Sequence, residues 1–524
     1  MDPGPIDDSI LYGQATHRSS AIWDGQESGF LTCRRRLRAL HRSTSLDIRI
    51  VPYLRQAGFY GLSRVGFIQL DWHLITAFVE RWRPETHTFH LPYGECTITL
   101  EDICIQLGLP VDGLPVIGST QHNWQQVCLE LLGVAPPPDK LKGSRLSMVW
   151  LEEQFNELSP DADDIVIQRY ARAYILQLMG GCLFADKSNN LMHIMFLPLL
   201  EDLDSAGHYS WGSAGLAWLY RELCRASRKD THDIAGPLIL LQVWAWDRFP
   251  YIAPRRLGQP ILDPIMDVVD GGVLPRGSLA MRWRDALSVA EVSTHVLMMY
   301  RYHLDRQKSE QVIWQPYTPE ILAELPDYCF NGQDVWRSRV PLLCFHIVEW
   351  HYADRVLRQF GIRQPIPIDC DTDVRLHHVD LRGRVDQDWS ITHQHFIQLW
   401  ESRQDQVIDG ASVDGTMDFH DPYMQWYRRI TRRFICRTGA MFDYLIDSLV
   451  RIHNLARPDS VFTSGHAIQE ICTSVLHAVD EHSRISMGVT QIEQHTEKHK
   501  EPSEAESHRR KQSARRKRRS SHGS

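Results

Sequence analysis

The segment FHLPYGECTITLEDICIQLGLPVDG, residues 89–113, constrains the fold more than any other stretch of this chain. Phe89, Leu91 and Tyr93 alternate with His90 and Pro92, and Cys96, Ile98 and Leu100 alternate with Thr97 and Thr99. That period of two is what a half-buried strand requires. Gly94-Glu95, between the two runs, reads as a two-residue Gly-X hairpin turn. Pro92 has no N–H to give to a ladder, which predicts an edge strand. Thr99 and Asp102 then form the S/T-x-x-D/E pattern of a capping box. Leu100, Ile103, Cys104 and Leu107 share one helical face, Gly108 closes the helix, and Pro110 prevents its resumption. A threonine-capped helix ending in Leu-Gly also suits the first helix of a helix-turn-helix. The following residues, VDGLPVIGSTQHNW, contain no basic side chain for a recognition helix, so the segment is read as scaffold.

Helical patterns dominate elsewhere. Asp71 is placed to cap a helix whose face carries Leu74, Ile75, Phe78, Val79 and Trp82, ended by Arg83-Pro84. A second helix is predicted over 167–183, with Gly180-Gly181 as its bend or stop. Pro237 and Pro341 sit where a first-turn proline is tolerated, and the helix after Pro341 is expected to end at Gly361. Loops fall at APPPDK (135–140), RRLGQPILDP (255–264) and IRQPIPIDCD (362–371), and no fixed-period repeat indicates a solenoid. The expected fold class is mainly α: a large helical globular domain with a small β-hairpin element. The expected divisions are a flexible N-terminal arm (1–28), the globular domain (29–483, with a last helix at about 466–481), and a disordered basic tail (484–524).

Composition supports a large buried core: 43% of residues are hydrophobic and 16 are Trp, which argues against wholesale disorder. The eleven cysteines include no C-x-x-C pair, and Cys104, Cys182, Cys224, Cys344 and Cys472 sit in apolar helical contexts. They read as reduced, buried thiols of an intracellular protein. The N-terminus lacks the basic and apolar regions of a signal peptide. The longest apolar runs, 191–200 and 237–246, are half the length of a membrane span of about 20 residues.

Charge is unevenly spread. Residues 491–524 carry ten Lys and Arg against five Glu, a net +5, leaving −13 on the other 490 residues. An acidic body is a poor partner for phosphate backbones, so nucleic-acid contact is expected only from the tail. Within it, RRKQSARRKRR places Arg509, Arg510, Lys511, Arg515, Arg516, Lys517, Arg518 and Arg519 in eleven residues, the pattern of a nuclear-localisation signal.

No P-loop, G-x-S-x-G elbow, H-E-x-x-H or zinc-finger spacing is present in the sequence. His377-His378 with Asp380, and His393 with His395, are candidate ligand pairs. Each lacks a matching cluster nearby in sequence, so they are read as solvated loop histidines. Glu349 and His351, placed in the predicted helix after Pro341, would point about 200° apart and share no ligand. The acidic runs PDADD (160–164) and EDLD (201–204) read as helix-end charges. Lys187, in LFADKSNN, is the one lysine considered for a pyridoxal phosphate Schiff base. No phosphate cradle accompanies it, and a surface lysine just past a helix end is the preferred reading. No catalytic, cofactor-binding or metal-ligating residue is assigned from sequence.

Several stretches in order resemble a known family. They are HRSSAIWDG (17–25), the run from Ala57 to Gly113, RYARAYILQLMGGCLFADKSNNLMHIMFLPLLEDLDSAGHYSWGSAGLAWLYRELCRAS (169–227), GPLILLQVWAWDRFP (236–250) and VPLLCFHIVEWHYADRVLRQFGIRQPIP (340–367). Together they are similar to the plant mobile domain, across about residues 15–450. This domain, also labelled aminotransferase-like, occurs in maintenance-of-meristems (MAIN-like) proteins, in transposable elements, and fused in phosphatase 7 long forms. The resemblance implies a non-enzymatic nuclear protein that acts with protein partners, including a phosphatase 7-like protein, in transposable-element silencing, gene-expression control and meristem and genome maintenance. It supplies no catalytic residue and no cofactor to carry across. Two other readings stay open: a transposable-element-encoded nucleic-acid-binding accessory protein, and a pyridoxal-phosphate-type enzyme built around Lys187.

Overall fold

Asp71 accepts hydrogen bonds from the backbone N–H groups of His73 and Leu74 and so opens helix α1, Trp72–Val79, as an N-cap carboxylate should. The chain then turns into strand β1 (Trp82–Arg83), so Trp82 belongs to a sheet and not to the helix expected to include it. Strands β2 (Thr88–Leu91) and β3 (Gly94–Cys96) complete a three-stranded antiparallel sheet with β2 in the centre. The register pairs Phe89 with Cys96, His90 with Glu95 and Leu91 with Gly94.

That register moves the turn from the expected Gly94-Glu95 to Pro92-Tyr93, and the expected edge strand is instead the central one. The physical reason is proline itself. Its fixed φ suits the first central position of a tight turn, and there its missing N–H is not needed by any ladder. The helix that follows, α2 (Leu100–Leu107), has the capping box in full. The Thr99 hydroxyl accepts from the Asp102 N–H, and Asp102 accepts from the Thr99 N–H at 2.7 Å. Gly108 ends α2 at φ 63°, the left-handed cap that glycine adopts without strain.

The computed structural model describes residues 2–26, 29–34, 46–254 (except 189), 268–269, 272–273, 276–284, 297–438 (except 374, 382–386, 414–416 and 419), and scattered positions between 440 and 475. The predicted helix at 466–481 and the basic tail lie outside the described residues for the most part, the tail entirely. The mainly α class holds, with few short strands.

Helix α3 (Asp164–Leu178) starts on Asp163, whose side chain accepts from the Val166 N–H. Its glycine pair does not stop it. The chain continues as one π-helical turn, Met179–Leu183, because Gly180 lets Met192 and Met148 approach to where a β-carbon would sit 2.7 Å away. Helix α4 (Trp211–Ala226) is buried on nearly every side and packs against α2 and the hairpin described below. Helix α5 (Leu238–Arg248) follows Pro237, which serves as its N-cap. Phe78 of α1, Phe89 of β2 and Trp244 of α5 meet edge-on or tilted at 5.2–5.7 Å between ring centres. Aromatic pairs of this geometry add to what burial alone contributes.

The helix predicted after Pro341 is absent. In its place, β4 (Val340–Cys344) and β5 (Ile347–His351) form an antiparallel hairpin, with Leu343 opposite Val348 and Cys344 opposite Ile347. Phe345 takes a left-handed φ of 49° in the turn. The apolar run VPLLCFHIV matches a strand pair buried on both faces as well as it matches a buried helix. The β-branched valines and isoleucine favour the strand, and Pro341 is tolerated there because each strand of a two-stranded hairpin has a free edge. Gly361 does end a helical turn in the left-handed conformation, but a short 3-10 turn, Leu357–Phe360.

The N-terminal segment, read as a loose arm, packs instead. Residues 18–23 form a helix, Leu11, His17 and Arg18 are buried, and Ile6 N–H donates to the Arg429 carbonyl. The chain divides into two units. All elements named above belong to the one spanning Asp2–Gly439, and the other covers Ala440–Ser524.

Candidate functional site

His87 occupies the turn between β1 and β2 with a left-handed φ of 49°. This conformation is uncommon for a residue other than glycine and often marks a functional position. It turns the imidazole inward, where the side chain is buried and stacks on Trp82. Cys224 in the last turn of α4, Glu349 on β5 and His377 in a 3-10 turn, Leu376–His378, point to the same place. One ligand atom from each of the four lies within 4.8 Å of all the others.

The neighbours of each residue fix its orientation. The Nδ1 of His87 lies 2.8 Å from the Trp350 carbonyl oxygen, a contact that makes Nδ1 the protonated nitrogen and leaves Nε2 as the free donor atom. That Nε2 sits 3.0 Å from Glu349 Oε2, yet the two are not in hydrogen-bond alignment. His377 Nε2 approaches the same oxygen at 3.1 Å. Glu349 Oε1 is occupied by the Arg221 guanidinium. The Trp82 indole N–H donates to Cys224 Sγ at 3.2 Å. The two imidazoles stack at 5.7 Å and 12°.

The electrostatics are those of a closed charge cluster. Burial pulls His87 and His377 down, but Glu349 and Cys224 outweigh it and raise both. Burial pushes Cys224 and Glu349 up, but the histidines outweigh it, helped at Glu349 by Arg221, and both end lowered. A thiolate, a carboxylate and two imidazoles thus favour one another's charged forms. The arrangement can coordinate a cation, or persist as a buried ion cluster. A cavity of about 170 Å³ lined by Tyr12, Glu85, Arg221, Cys224 and His377 opens beside it.

The sequence pattern places His377 among solvated loop residues and puts Glu349 on a helix, away from other ligands. The structure corrects both. On a strand, Glu349 projects into the core, and His377 reaches it from a distant turn. His87 and Cys224 carried no signal as ligands, because the four positions are scattered over the chain. A left-handed histidine cannot be seen from composition or period.

Among the described residues, the remaining candidates form no second cluster of this kind. His393 is buried against Trp389 at 5.5 Å, and neighbouring His395 is exposed. His351 is tied to the Ser338 carbonyl at 2.8 Å through Nδ1. Lys187 is half-exposed and paired with Asp233 at 2.7 Å. Asp163 and Asp202 cap helices, as the acidic runs predict. Cys104, Cys182 and Cys344 are buried and form no disulfide, whereas Cys472 lies outside the described residues. The eight basic positions from Arg509 to Arg519 also lie outside them.

A mainly helical body with two small hairpins gathering a buried Cys-His-Glu cluster is the class of protein that these features define. The plant mobile domain model matches residues 58–428, which include all four cluster residues, and the chain belongs to that family. It is 48% identical over 485 residues to an Arabidopsis thaliana serine/threonine-protein phosphatase 7 long form homolog, covering 90% of this chain and 36% of that protein. It is 36% identical to Protein MAIN-LIKE 1 (82% of this chain, 80% of the relative) and 34% identical to Protein MAINTENANCE OF MERISTEMS (80% and 82%), both also from Arabidopsis thaliana. The chain thus spans about a third of the phosphatase 7 long form homolog and most of the other two. No solved structure matches it.

Proposed function

We propose that this chain is a non-enzymatic nuclear protein that acts through protein partners, among them a phosphatase 7-like protein. Its roles are transposable-element silencing, gene-expression control and the maintenance of meristems and genome integrity. The observation that carries this reading is the extent of the match to Protein MAINTENANCE OF MERISTEMS. The aligned region makes up 82% of that relative, so the role in its name rests largely on a region like this one. The similarity to a phosphatase 7 long form homolog supports the choice of partner, because a domain fused in one protein is a natural docking element in another. The basic run at 509–519 supplies the import signal and, secondarily, a nucleic-acid contact.

The test is affinity purification of the tagged full chain from plant nuclei. Recovery of a phosphatase 7-like protein and loss of silencing when the chain is removed are the expected results. A chain found outside nuclei, or purified from them without any such protein, overturns the reading.

A further inference from the structure

We infer that His87, Cys224, Glu349 and His377 form a structural zinc site. The donors come from four separate elements: the first hairpin turn, helix α4, strand β5 and the turn at 376–378. Chance rarely brings a thiol, two imidazoles and a carboxylate within 4.8 Å of one another in a buried part of a fold.

Two observations select a metal over a plain ion cluster. The first is the disposition of Nε2 of His87 and Oε2 of Glu349. Both atoms are buried and 3.0 Å apart, yet they are misaligned for a hydrogen bond. With Nδ1 given to the Trp350 carbonyl, a neutral His87 leaves Nε2 and Glu349 Oε2 as two acceptors aimed at a common point, and a cation there is the shared partner that two buried acceptors need. The second is the outer ring of contacts. The Trp350 carbonyl fixes the His87 tautomer, Arg221 takes the other Glu349 oxygen, and the Trp82 indole supports the Cys224 sulfur. Such contacts orient the ligands of metal sites and set their donor strength.

The donor types choose the metal. A thiolate and two imidazoles suit Zn²⁺ and are poor partners for Mg²⁺ or Ca²⁺. One thiolate and one carboxylate offset the charge of a divalent ion, while Arg221 holds the other Glu349 oxygen. Four protein ligands complete a tetrahedron, so the ion is structural and staples the N-terminal hairpin to the 340–351 hairpin through α4.

The test uses the purified full chain, equilibrated with zinc, freed of excess metal and measured by elemental mass spectrometry. One zinc per chain is expected, with Cys224→Ser and His377→Gln losing it at unchanged far-UV circular dichroism. A zinc-free wild type, or variants that keep their zinc, overturns the site. Should either variant fail to fold, cobalt(II) titration of the wild type decides. A thiolate-to-cobalt absorption in the near ultraviolet, saturating at one ion per chain, supports the assignment, and cobalt bound without that band overturns it. A chelator should also lower the thermal midpoint of the wild type reversibly, and an unchanged midpoint argues against a staple.

Discussion

Arg221 on α4 donates to Glu349 on β5, with both side chains closed off from solvent. The same guanidinium reaches the Val379 carbonyl at 3.0 Å, two residues beyond His377. One arginine therefore ties the helix to both C-terminal segments of the cluster. Truncating it strands a buried carboxylate, a change that typically costs about 3–5 kcal/mol. Arg221→Ala should lower stability by that order in urea titrations. Arg221→Lys should recover only part of it, because an ammonium cannot reproduce the planar fork. Equal midpoints for wild type and Arg221→Ala would refute the role.

The opening of α2 gives a second prediction. The Asp102 carboxylate accepts from Thr99 N–H, receives the Arg248 guanidinium at 2.7 Å and takes the Tyr317 hydroxyl at 2.6 Å. Thr99 contributes the cap alone, whereas Asp102 joins α2 to α5. Thr99→Ala should cost about 1 kcal/mol, the usual value of a lost N-cap, and Thr99→Ser should be near neutral. Asp102→Ala removes the partner of a buried arginine and should cost several times more. Chemical denaturation of the three variants checks the order, and similar losses for Thr99→Ala and Asp102→Ala would contradict it.

Much of α2 was legible because its determinants are local: Thr99, Asp102 and Gly108 lie within ten residues, and each acts through backbone geometry. The same holds for Asp71 and α1. The Pro341 hairpin was not legible, since an apolar run buried on both faces has no period to distinguish strand from helix. Glu349 and His351 were misjudged for that reason alone. The cluster was invisible for a different one. His87, Cys224, Glu349 and His377 are each unremarkable in their own windows, and only tertiary packing brings them together.

Acid sensitivity follows from buried histidines. Burial holds His351 down at about 4 against a usual 6.5, and it lowers His90, where Glu95 opposes it. A folded-state pKa below the unfolded one contributes stability that is complete above pH 6.5 and is lost as pH falls through 4. For His351 the difference represents roughly 3 kcal/mol. Burial raises Glu95, but Arg355 and His90 outweigh it and bring it down to about 2. Its contribution is complete above pH 4.5 and is lost as pH falls through 2. The two windows follow one another, so stability should decline from pH 6.5 downward in two stages. Urea midpoints across this range should show it, and His351→Gln should flatten the first stage. A profile level from pH 6.5 to 4 would exclude the assignment.

The basic run supplies the last prediction. Arg509, Arg510, Lys511, Arg515, Arg516, Lys517, Arg518 and Arg519 concentrate positive charge on a chain that is otherwise acidic. A fluorescent fusion of the full chain should accumulate in nuclei, and removing 508–524 should abolish this while leaving the thermal midpoint of the remainder unchanged. Because each phosphate contact contributes about 0.9 to the slope of log affinity against log salt, the same deletion should flatten any salt dependence of DNA binding. If the truncated fusion stays nuclear, import is directed from elsewhere. If its DNA affinity also keeps the same slope, the acidic body carries a local basic surface that the net charge conceals.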